Sequence, residues 1–277
     1  MDLLTPVFVT LSGLFGLAIG SFLNVVAYRV PAGISLLRES RCPHCDAPIK
    51  ARHNVPVVGW VALRGKCDSC GAPISSRYPI VEGFTGLVFG GITWFFLTSA
   101  GGATWASSSL PLALVLIAYL YFAAVSIVLT LIDLDTHRLP NVIVLPSYAV
   151  AALLFTGAAL LSGDWNALLR AGIGMAALYA FYLILRLVRP SGMGGGDVKL
   201  AGVVGLYLGW IGWGALAVGA FFAFVYGGVF GIALILARRA GRRTAIPFGP
   251  WIILGAWTGV FAGETIGRGY LSLYSGS

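Results

Sequence analysis

Acid is what this sequence has least of. Ten Asp and Glu occur in 277 residues, and only 10% of all residues are charged. A soluble domain carries about 25%. Against 58% hydrophobic residues and a mean hydropathy of +0.89, that scarcity excludes an ordinary soluble domain. It predicts an all-α polytopic membrane protein with the bilayer as its solvent. No basic n-region precedes the first apolar run, which is also too long for a signal peptide, so that run is expected to remain as a transmembrane helix. No glycine-rich nucleotide-binding βαβ unit is present. Internal repeats and the paired broken helices of transporters are also lacking. The net charge of +8 sits in a few loops without interleaved aromatics, which excludes a nucleic-acid surface and points to membrane topology.

Apolar runs of about 17–25 residues mark spans. About eight are expected, at 6–28, 80–100, 110–132, 142–162, 167–188, 198–212, 214–237 and 247–265. This count puts sixteen Lys and Arg on one side, and only Arg170 and Arg268 on the other. Such a split satisfies the positive-inside rule, with both termini away from the cytoplasm. It divides the chain into a first helix (1–28), a polar cytoplasmic loop (29–79) between helices 1 and 2, and the remaining membrane part (80–277). The loop 101–109 is small and polar around one Trp and shows no chemistry.

All four cysteines lie in the polar loop, as Cys42-Pro43-His44-Cys45 and Cys67-Asp68-Ser69-Cys70. Each CxxC turn directs two thiolates at one centre, and two turns complete a tetrahedral Zn²⁺ site. The repeated Ala-Pro-Ile after each pair, at 47–49 and 72–74, suggests matching knuckles. A pair of disulfides is the alternative, but a cytoplasmic loop keeps its thiols reduced. Four cysteines close the coordination shell, so the zinc is expected to be structural. His44 is the alternative ligand to one of the cysteines, but it is expected beside the site or at the surface.

Among the acids, Asp133, Asp135, Asp197 and Glu82 lack an obvious bland reading. Asp197 lies in Gly192-Met193-Gly194-Gly195-Gly196-Asp197-Val198, between two apolar segments. So many glycines predict irregular backbone, tolerated near a membrane only where it packs in protein or lines a wet cavity. The topology puts Asp133, at the end of another apolar run, at the same depth. Two carboxylates at one site divide into a charged base that activates water and a protonated acid that donates to a carbonyl. The glycines at 194, 195 and 196 would let a peptide backbone approach. The bland alternative is a helix-end acid, or an Asp133–Arg138 pair. Asp135 rivals Asp133, and spacing does not choose between them. The stretch Thr244-Ala245-Ile246-Pro247-Phe248-Gly249-Pro250 reads as a structured turn without chemistry.

Together these residues resemble the bacterial prepilin peptidases, the type IV leader peptidase/N-methyltransferases. The resemblance rests on Gly20-Ser21-Phe22-Leu23-Asn24 with Tyr28-Arg29-Val30-Pro31, on the four-cysteine loop with Arg77-Tyr78-Pro79, and on Asp133 ahead of Pro140-Asn141. It rests also on the GxGD stretch ending at Asp197, and on Ile246-Pro247-Phe248-Gly249-Pro250. Asp46 departs from it, standing where a glycine is common. The resemblance implies that Asp133, not Asp135, is the first catalytic aspartate. It implies an inner-membrane aspartic endopeptidase that removes the basic leader of type IV prepilins or type II secretion pseudopilins. It also implies methylation of the new N-terminus from S-adenosylmethionine. No cofactor-binding residues follow from it; the zinc loop is the candidate platform, with Glu39, Arg41 and Glu82 as candidate contacts. Two rival readings are an ion-coupled transporter using Asp133 and Asp197, and a zinc-bearing membrane assembly protein without catalysis.

Overall fold

The computed structural model describes residues 4–98, 109–190, 193–237 and 247–275. Outside them lie Gly192, most of the 101–109 loop, the arginines of 238–243 and the Thr244–Ile246 part of the proline turn. The described residues are helical apart from loops, one 3₁₀ turn (Ala51–His53) and two isolated β-bridges. The helices are α1 (Leu4–Arg29), α2 (Val58–Ala62), α3 (Arg77–Thr98), α4 (Ser109–Thr136), α5 (Asn141–Ser162), α6 (Trp165–Val188), α7 (Gly195–Ile211), α8 (Trp213–Leu236) and α9 (Gly249–Ser275). Six of these, α1, α3, α4, α5, α6 and α8, are long and apolar enough to cross a membrane. Of the other long helices, α7 has 17 residues, about 26 Å at the usual rise. In α9, Glu264 and Arg268 interrupt the apolar run.

The chain forms two compact units. The first comprises Met1–Ser107 and Tyr119–Val128, the second Ser108–Ala118 and Leu129–Ser277, so α4 supplies residues to each. In the first unit α1 packs on α3 through small residues. A β-carbon on Gly16 would sit 2.8 Å from that of Phe89, and one on Gly20 would sit 2.7 Å from the Glu82 Cα. This is the small-xxx-small device that lets membrane helices approach backbone to backbone. The Thr93 hydroxyl donates to Ser12 Oγ (2.7 Å), and Ser12 donates to the Phe89 carbonyl (3.2 Å), tying the two helices together.

In the second unit α7 is the central helix, with 13 of its residues buried. Phe155 of α5 stacks on Trp210 at 4.5 Å. Both ends of α7 and the start of α8 are capped by charge. Arg170 donates to the carbonyls of Gly209 and Trp210, each at 2.7 Å, where α7 ends. Glu264 accepts from the Ala215 amide at 3.2 Å, where α8 begins. Both placements suit the helix dipole. Asp164 accepts from the Ala167 amide and caps α6.

Candidate active site

Met193 and Gly194 are non-helical, as composition predicts, but Gly195 and Gly196 are not irregular backbone. Gly194 is the N-cap of α7, in extended conformation, and Gly195 and Gly196 form the first turn with Asp197 as its third residue. Glycine costs little there, because first-turn amides have no helical acceptor to lose. The Asp197 carboxylate reaches back to the Gly194 amide, Oδ2 accepting at 2.9 Å. That contact is one half of a capping box, with the acid at the favourable end of the dipole.

Asp133 lies one turn from the C-terminus of α4 and is 4% exposed, whereas Asp135 is exposed. Its Oδ2 accepts from the Gly249 amide at 3.1 Å, across 116 residues of sequence. Arg138, the candidate ion partner, makes no ion pair with Asp133. A β-carbon on Gly249 would sit 2.6 Å from that same Oδ2 and 3.3 Å from Leu139, and one on Gly196 would sit 2.8 Å from Leu139 Cβ. Leu139 is thus wedged between the residue that holds Asp133 and the residue before Asp197. On the β-carbon side, Gly195 faces the Arg186 guanidinium and Gly194 faces Asp197. Beneath lies an aromatic cluster in which Phe248 packs on Phe224 at 5.4 Å and Phe224 on Tyr182 at 5.5 Å. Lys199, one turn along α7, donates to Asn141 Oδ1 at 2.9 Å and so ties α7 to the start of α5.

Gly249 is the residue that reading the sequence missed. The proline turn showed no chemistry because its contribution is a backbone amide. The only linear signal was a glycine between Phe248 and Pro250 where a helix begins.

The four-cysteine loop belongs to the first unit. All four thiols are free, and their sulfurs lie within 4.8 Å of one another. Cys42 and Cys70 are 3.9 Å apart. A tetrahedral zinc at about 2.3 Å from each sulfur requires about 3.8 Å between sulfurs, so the donor set fits the metal. His44 is not part of the cluster. The two knuckles superpose in their bonding. Cys42 donates to Ala47 and Asp46 to Cys42; at the equivalent positions Cys67 donates to Ala72 and Gly71 to Cys67. Gly71 has φ +71, and its counterpart Asp46 has φ +54. The turn therefore calls for a left-handed residue at both places, which glycine supplies freely and aspartate tolerates. The amides of Cys70 and Ser69 pull the Cys67 thiol down to about 7, favouring the thiolate that binds metal. A hydrogen bond from Lys50 holds the Asp68 carboxyl below the usual range.

Of the candidate cofactor contacts, Glu39 and Arg41 form an exposed pair at 3.3 Å, and Arg41 also meets Asp46 at 3.2 Å. Glu82 is buried and lines a cleft of the first unit. Arg29, from the first-helix motif, is buried as well. Its guanidinium donates to the carbonyls of Ser35, Leu36, Arg38 and Glu39, and so folds the start of the loop.

Residues 14–96 match the Bacterial Peptidase A24 N-terminal domain, and residues 120–234 match the Type IV leader peptidase family. The chain is 35% identical to a prepilin leader peptidase/N-methyltransferase of Stutzerimonas stutzeri over 95% of its own length and 94% of the relative's. It is 36% identical to one from Aeromonas hydrophila, over 94% and 92%. To one from Neisseria gonorrhoeae it is 33% identical, over 97% and 95%. The chain belongs to the prepilin leader peptidase family. Family relatives with these names are a peptidase and methyltransferase, and none of the three is named as a transporter. No solved structure matches the chain. Within the family the A24 N-terminal match covers α1 from Leu14 onward, the cysteine loop and most of α3, and the peptidase match includes both Asp133 and Asp197.

Proposed function

We propose that the chain is an intramembrane aspartic endopeptidase. It cleaves the basic leader from type IV prepilins or type II secretion pseudopilins and then methylates the new N-terminus from S-adenosylmethionine. One observation carries the peptidase reading. Two buried carboxylates, each pinned through one oxygen by a backbone amide, converge around Leu139. Pinning one oxygen leaves the other to work on a water or a carbonyl. One aspartate removes a proton from the attacking water, and the other, protonated, donates to the scissile carbonyl oxygen. In a carboxylate dyad the acid and base roles belong to the pair rather than to either residue. Gly194, Gly195 and Gly196 form the stretch along which the substrate backbone approaches.

Eight spans put the dyad and the zinc loop on the cytoplasmic side of the bacterial inner membrane and both termini in the periplasm. A leader on that side, joined to an apolar helix in the bilayer, presents its scissile bond at the depth of the dyad. The first helix (1–28) anchors the structural zinc domain (29–79), held by Cys42, Cys45, Cys67 and Cys70, and residues 80–277 contain the peptidase. S-Adenosylmethionine supplies an electrophilic methyl group for the amine that cleavage exposes. The test is incubation of membranes holding the protein with a peptide that carries a basic leader, a glycine and an apolar helix. A shorter product by mass supports the peptidase, and a further methyl on it supports the second activity. An unchanged peptide contradicts both.

A further inference from the structure

Three acids are buried among the described residues: Asp133, Asp197 and Glu82. The first two lie in the second unit, on either side of Leu139. Glu82 stands alone in the first, 6% exposed on α3, where Gly20 brings α1 against its backbone. No described cation forms an ion pair with it. A carboxylate buried without a cation is costly.

Its hydrogen-bond donor is the Val57 amide, at 2.7 Å. Val57 has φ +61 and ψ −52, and Val58 donates across it to the Pro56 carbonyl at 2.6 Å. That is a γ-turn of the rare, strained hand, and a β-branched residue is among the least suited to it. Strain of this kind persists where the surroundings over-determine it, and such places are commonly functional. The turn opens α2, whose Trp60 donates its indole N–H to the Ile74 carbonyl at 3.1 Å. Asn24, Arg29, Trp60, Tyr78 and Glu82 all line one cleft of about 470 Å³. This falls within the about 300–1,000 Å³ usual for small-molecule sites. Arg29 is already engaged by backbone carbonyls, so Glu82 is the cleft's buried charge without a counter-charge of its own.

We propose that this cleft binds the methyl donor, with Glu82 as the counter-charge to its cationic sulfonium. The inference rests on the methyltransferase part of the function proposed above. Aromatic Trp60 and Tyr78 offer apolar walls suited to a purine, and the carboxylate gains the cation that the fold does not provide.

Charge is what separates this role from a structural one. Glu82→Gln keeps an oxygen for the Val57 amide and removes only the charge. Full-length wild-type and E82Q protein in detergent are compared by equilibrium dialysis with S-adenosylmethionine and with S-adenosylhomocysteine, its neutral thioether. Bound zinc reports that the loop is folded. The expected result is binding of S-adenosylmethionine weakened at least tenfold in E82Q, with the neutral thioether changed less than threefold. Equal loss of both ligands, or no loss of either, overturns the proposal. Methylation of cleaved peptide by the wild-type preparation separates the two failures. Wild type that methylates, combined with an unselective E82Q, sinks the cleft assignment alone. Wild type that neither binds nor methylates sinks the methyltransferase reading with it.

Discussion

The two units bury acid in different ways. In the second, Asp133 and Asp197 lie on either side of Leu139, each with one oxygen held by a glycine amide. In the first, Glu82 stands alone, held by the amide of a strained valine. Close carboxylates resist double ionisation and so divide into acid and base. A solitary buried carboxylate has no such partner and serves best as a fixed charge. Chemistry on a peptide bond needs the former, whereas holding a cationic small molecule needs the latter.

The comparison breaks most directly at the dyad. Asp133→Asn or Asp197→Asn should lower leader cleavage by roughly a thousandfold, within the range general acid–base catalysis supplies. Purified variants assayed on a leader peptide check this, and either variant cleaving within tenfold of wild type would remove the dyad. Next comes the metal. Changing Cys45 and Cys70 together to serine should abolish bound zinc, read by elemental analysis of purified protein. Zinc content equal to wild type would refute the four-sulfur site. Gly249→Ala is a finer probe, since its β-carbon would fall 2.6 Å from Asp133 Oδ2. Displacing a catalytic group by about 1 Å costs about 100-fold, so cleavage should fall roughly 10–100-fold, in kcat more than in KM. The smallest effect is expected at the α1–α3 contact. Gly20→Ala presses on the Glu82 backbone and should destabilise the first unit by about 1–3 kcal/mol, seen as a lower melting temperature. It should disturb binding of the methyl donor more than cleavage.

Local patterns were legible in the sequence, and long-range ones were not. Six of the eight expected spans fall on helices long and apolar enough to cross a membrane, because a span needs a continuous apolar run. The cysteine centre was legible because CxxC spacing is a local geometry, and the structure closes it within 4.8 Å. Asp133 and Asp135 could not be separated by spacing. Burial separates them, since a helix turns the two residues to different faces. Gly195 and Gly196 were misread as broken backbone because helix propensity describes helix interiors, whereas they occupy a first turn. Gly249 was invisible because its contribution is an amide donated across 116 residues. Glu82 was legible as one of three candidate cofactor contacts, but neither its isolation nor the strain at Val57 has any signature along the chain.

The central claim is that Asp133 and Asp197 act as one unit. The most direct test measures cleavage of one leader peptide by wild type, D133N, D197N and the double variant, with products read by mass. Acting as a unit, each single variant should lose nearly as much activity as the double. Single losses that multiply to give the double, or a shortened peptide from either single variant at near wild-type rate, would contradict it.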